Sequence, residues 1–244
     1  MGYSILYEAL NEEIKEWEEK NIKEQIKIGQ FSKKIQTEIN NRIPQKIHDL
    51  FTNSIKITMN SVYYGDNFFD IISKKEDESK KSYYKKEKEA RKKIEDYKKI
   101  AAVEGIGTGF GGFIGSIADF TLLLGIKYKL LLELSRIFQY DIKTKKERLF
   151  ILYIFQLAFS DYHHKIKVYD YVKEYNITEN KVEVAWQKLQ QEYRDYIDIP
   201  KMLQMIPIIG APIGGVVNYK LLDKLGETAL HCYRVRFLQE WIID

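Results

Sequence analysis

The chain has 244 residues, 45% of them hydrophobic and 30% charged, which is ample apolar material for one large core or two small ones. Four prolines suit long helices and exclude a turn-rich β-sandwich, and the single cysteine, Cys232, excludes an intrachain disulfide. The net charge of +4 is local: Lys74 to Lys99 holds twelve Lys/Arg and seven Asp/Glu, so the remainder sums to −1 and no chain-wide nucleic-acid footprint exists.

The opening MGYSILYEALNEEIKEWEEK is acidic and amphipathic. It lacks the basic and apolar regions of a secretory signal, and Leu6 stands where a myristoylation motif wants Ser or Thr. Leu6, Leu10, Ile14 and Trp17 recur at helical spacing, opposite Glu12, Glu16 and Glu19. The expected organisation is an N-terminal amphipathic helix within residues 1–30, ahead of a helical domain over 31–244. A second helix is expected through Phe31, Ile35 and Ile39. Pro44 suits the first turn of a third, with Ile47, Phe51, Ile55 and Met59 inward and Gly65 as its C-terminal cap. The stretch 73–99 then reads as a charged, basic helix. Its interleaved signs fit a solvated surface, and its excess of lysine fits an anionic membrane face.

Two glycine-rich apolar segments follow. Residues 105–118 are uncharged, and Gly107, Gly111 and Gly115 repeat every fourth residue. Met202 to Tyr219 is also uncharged, with Gly210 and Gly214 at the same spacing. Such a register lets another backbone approach closely, so two helical hairpins packed together are expected, in a core or against lipid. The first segment lacks a Lys-Ser/Thr terminus and is no phosphate loop. Beyond it, Leu123, Ile126, Leu130, Leu134 and Ile137 predict a long core helix, with Lys129, Glu133 and Arg136 outward. Residues 147–160 form a very apolar helix. Thr178 is the expected N-cap of another, carrying Val182, Trp186, Leu189 and Tyr193. The last helix is expected to bury Leu221, Leu225, Ala229, Cys232 and Arg236 and to expose Lys220, Lys224, Glu227, His231 and Arg234.

The stretch GIGTGFGGFIGSIADFTLLLGIKYKLLLELSRIFQYD, the pair Glu147-Arg148, IPIIGAPIGGVVNY, and the late Ala229, Tyr233 and Arg236 together resemble the EcsC family. The early run IPQKIHDLFTNSIKITMN is similar to that family's first helix. The resemblance spans about Ile43 to Leu238 and departs at Tyr140-Asp141, where the family usually has a glycine. It implies a bacterial, helical protein linked by gene context to ABC exporters, with no established activity.

Asp119 shares the apolar stripe of the long helix, so its carboxylate is expected to be paired or hydrogen-bonded. Arg236, on an apolar stripe of its own, is the first expected partner and Arg148 the second. Asn218 completes the candidate buried polar site. No catalytic motif is present, and no cofactor or metal is expected. Asp161 and His164 sit at i,i+3 without a visible third ligand. The predicted fold is all-α, a multi-helix single core. The favoured function is a non-enzymatic helical protein at the cytoplasmic membrane face, meeting an anionic lipid surface or a membrane-protein partner linked to an ABC exporter. Its expected place is the cytoplasm, peripheral at the inner face of the cell membrane. The alternative is a hydrolase for a lipid or peptide, with Asp119 and an arginine in a buried pocket.

Overall fold

A computed structural model describes residues 2–23, 45–65, 82–108, 112–160, 162–174, 179–196 and 211–243. All regular elements among them are helical: α1 (Gly2–Glu18, continued by a π turn Glu19–Lys23), α2 (Gln45–Tyr64), α3 (Tyr83–Thr108), α4 (Gly112–Ile137), α5 (Lys145–Phe159), α6 (Tyr162–Lys173), α7 (Glu179–Tyr196) and α8 (Ala211–Ile243). They close on one hydrophobic core to which α1 contributes Leu10 and Ile14.

The local rules place the ends. Helix α2 begins directly after Pro44, and the Gly65 amide donates to the Ser61 carbonyl at its far end, 2.9 Å away. The fall-back of α4 is less obvious. Gln139 adopts φ 70°, while the amides of Tyr140 and Gln139 donate to the carbonyls of Ser135 and Arg136. This is a left-handed C-terminal cap of the kind that favours glycine. The departure noted at Tyr140-Asp141 therefore falls one residue beyond a cap built without glycine.

Helix α8 is the axis. It packs along α3 over most of their lengths and also touches α1, α4, α5 and α6. The α3–α8 pair is antiparallel: Glu87 meets Arg234, Ile94 meets Gly226, and Lys98 meets Asp223. Helix α3 therefore presents Tyr83, Ala90, Ile94, Tyr97 and Ala101 inward. Its opposite face exposes Lys85, Lys88, Lys92, Asp96, Lys99 and Val103.

Encirclement corrects the expected face of α8. His231 and Arg234 are buried, not outward, because neighbours cover this helix on several sides. Helix α4 is likewise buried beyond its predicted stripe, at Leu124, Lys127, Tyr128, Leu131 and Ser135.

Gly226 marks the closest approach of α3 and α8. A Cβ there would lie 2.5 Å from Ile94 Cγ2 and 2.8 Å from Cγ1. Both carbons sit on the stiff β-branched stem, so the clash is hard to relieve. Gly226→Ala is expected to lose about 1–2 kcal/mol net, because overpacking outweighs alanine's better helix propensity. Adding Ile94→Ala should make the alanine nearly harmless. Urea denaturation reads both, and a more stable Gly226→Ala contradicts the tight crossing.

Helices α3 and α4 are distinct, with residues 109–111 between them outside the described set. Gly107 thus belongs to α3 and Gly115 to α4, while Gly214 belongs to α8. The packing of the glycine-rich segments lies outside the described residues, as do Gly111, Gly210, Thr178, Asp161 and the helix expected through Phe31.

Candidate functional site: a buried polar interior

Thr144 caps α5 by accepting the Glu147 amide on its hydroxyl, 3.2 Å away. The spacing Thr-x-x-Glu is that of a capping box, in which the glutamate reaches back to the cap. Here Glu147 turns inward instead. Its Oε1 accepts from the Ser135 hydroxyl at 2.6 Å and the Tyr233 hydroxyl at 3.3 Å, and its Oε2 accepts from Arg236 Nη1 at 2.5 Å. The guanidinium also lies over the Tyr140 ring, 3.5 Å from its centroid, and donates to Glu240. Burial opposes the charge on Arg236, but Glu147 and its neighbours raise the arginine's pKa above the ordinary value. The cluster ties α4, α5 and α8 together, and its carboxylate is already occupied on both oxygens.

Arg236 is therefore part-buried and paired, but with Glu147 rather than the expected Asp119. Asp119 sits on α4 sixteen residues before Ser135, about 24 Å along the same helix. Helix geometry thus separates its backbone from the Glu147 cluster; its side chain lies outside the described residues. Arg148 is buried, and it holds backbone: Nε, Nη1 and Nη2 donate to the carbonyls of Ile142, Tyr63 and Lys143. Asn218 is only part-buried, and on α8 it stands about 27 Å from Arg236. The four expected site residues do not form one site.

A second network joins α1, α3, α6 and α8. Arg234 bridges Glu87 at 2.5 Å and Glu13 at 2.9 Å. His231 stacks on Trp17 with centroids 3.8 Å apart, and its Nε2 lies 2.8 Å from the Tyr169 hydroxyl. That hydroxyl donates to Glu18, so the ring donates from Nε2. Burial, and then the charge of Arg234, push the imidazole down to about 3. Cys232 is buried and its thiol pushed well up by burial, an inert side chain as expected.

One cation stands apart. Lys127 on α4 is fully buried, and among the described residues its Nζ has no hydrogen-bond partner. It lies over the Phe159 ring, 4.6 Å from the centroid, and Lys224 Nζ lies 5.8 Å from the same centroid. Burial and then the charge of Lys224 lower its pKa to about 7. Gln156, one turn before Phe159, is buried with both amide atoms unbonded. Sequence reasoning missed Lys127 because a lysine reads by its type as solvent-facing, although two residues from the outward Lys129 it falls on the opposite side of the helix. Lys127 to Leu131 and Leu134 is a helical spacing that would have flagged it.

Among the described residues no three His, Cys, Asp or Glu side chains converge as metal ligands, and no helix is long and apolar enough to cross a membrane. The described clefts include a dent lined by Met59, Asn60, Trp186 and Gln190, with a volume of about 10 Å³. That is room for about one water.

The class defined by these features is a single-core all-helical protein whose interior charges are mostly paired with one another. The chain belongs to the EcsC protein family, whose model matches residues 8–238. It is 44% identical over 233 residues to Protein EcsC of Bacillus subtilis (strain 168), covering 96% of this chain and 97% of that one. It is also 32% identical over 145 residues to Uncharacterized protein YdbA of the same organism, covering 57% of this chain and 53% of the relative. No solved structure matches the chain.

Proposed function

We propose that this protein is a non-enzymatic helical scaffold that works at the cytoplasmic face of the membrane, on an anionic lipid surface or on an exporter-type membrane protein held there. The supporting observation is the outer face of α3. Lys85, Lys88, Lys92 and Lys99 are exposed along one stripe, and the stripe runs on to Ile100 and Val103, which are 50% and 70% exposed. Val216 on α8 and Leu122 on α4 are exposed on the segments that flank the glycine-rich stretches. A row of lysines beside exposed apolar side chains suits an interface of phosphate headgroups and acyl chains. The hydrolase reading has less support, since Arg236 and Arg148 are occupied by internal partners.

Vesicle flotation tests this reading. Binding to phosphatidylglycerol vesicles should exceed binding to phosphatidylcholine vesicles and weaken as salt rises from about 0.05 to 0.5 M, because counterions screen exposed charges. Flotation that is absent, or equal on both lipids, contradicts it.

A further inference from the structure

We infer that Lys127 is the inner wall of a receptor for a compact anionic group, a carboxylate or phosphoryl head, between α4, α5 and α8. The argument begins with what is missing around it. A fully buried ammonium is normally matched by a carboxylate or by several acceptors. Lys127 has neither among the described residues, only the face of Phe159. A second ammonium, Lys224, approaches the same ring from α8. Two like charges near one ring repel, and an anion bound beside them relieves that repulsion. Gln156, one turn before Phe159 on α5, is also buried with its amide unbonded among the described residues. The other interior cations described here have hydrogen-bond acceptors: Arg236 meets Glu147, Arg234 meets Glu87 and Glu13, Arg148 meets three carbonyls, and Lys165 meets the carbonyl of Asn21. Among the described residues Lys127 has no such acceptor.

This goes beyond the membrane reading and stands independently of it. The anion could be the head of a lipid or a free small ion, and two probes separate them: inorganic phosphate, and dodecyl phosphate below its micelle concentration. Thermal unfolding of the full chain is followed in phosphate-free buffer at constant ionic strength. The wild type should show a saturable rise in Tm of about 3–6 °C at ten times the apparent Kd. The rise should vanish in Lys127→Met, whose helical circular dichroism checks that it folds. Lys224→Met serves as the second variant and should lose at least half of the rise. A rise with both probes assigns a free anion as sufficient, and a rise with dodecyl phosphate alone assigns a lipid-like ligand. The inference is overturned if neither probe shifts the wild type, or if the shift persists undiminished in Lys127→Met or, should that variant not fold, in Lys224→Met.

Discussion

Glu147→Ala is expected to destabilise the protein by about 3–5 kcal/mol, because it strands a part-buried arginine. Arg236 would lose its inner carboxylate and keep the half-exposed rim carboxylate of Glu240, while Ser135 and Tyr233 would lose their shared acceptor. Glu147→Gln should cost less, since the amide oxygen still accepts from the two hydroxyls. The double variant Glu147→Ala with Arg236→Met should recover much of the loss. Neither charge is then stranded, and the methionine chain still packs on Tyr140 and Phe150. The check is urea denaturation of the wild type, both singles and the double. Strict additivity of the singles contradicts a direct pair.

Lys127→Met should act in the opposite sense and raise stability, with a marked dependence on pH. The native amine has its pKa lowered to about 7 from 10.5, so between those values the unfolded chain binds more protons than the folded one. Wild-type stability from this group therefore rises as pH climbs from about 7 toward 10.5, and the penalty is complete below 7. In anion-free buffer the methionine variant should gain about 3–5 kcal/mol at pH 6, and the gain should shrink steadily above pH 8. Denaturation at pH 6 and pH 9 gives the answer. A gain that is equal at the two values, or a loss at pH 6, contradicts a buried, unmatched ammonium.

Much of the fold is written in periodicity. Leu10 and Ile14 bury the face that their spacing predicts, Val182, Trp186 and Leu189 do the same on α7, and α2 begins at Gln45, next to Pro44 in the chain, and ends at Tyr64, before Gly65. These signals are local, and a helix with one neighbouring layer obeys them. They weaken where a helix is surrounded. His231 and Arg234 fall on the charged side of α8 when its stripe is drawn, yet α1, α3 and α6 cover that side and supply Glu13, Glu87 and Tyr169 as partners.

The polar interior was legible only in part, for the same reason. An arginine on an apolar stripe predicts an inward guanidinium, and that of Arg236 is part-buried against Glu147. Its partner depends on distances between helices, which spacing within a helix does not contain. Asp119 was the natural choice on chemistry alone, yet about 24 Å of α4 separates it from Ser135, beside the carboxylate that Arg236 meets. Glu147 reads from its position as a capping-box residue, and only the fold turns it inward.

Charge reversal on the outer face of α3 decides whether that face meets an anionic membrane surface. Lys85, Lys88 and Lys92 are exposed and carry no salt bridge among the described residues, so replacing all three with glutamate should leave the helical spectrum unchanged. Each lysine near an anionic surface contributes about 1 kcal/mol, so the triple reversal should lower binding to phosphatidylglycerol vesicles by a hundredfold or more. A folded triple variant that floats as the wild type does would contradict the account.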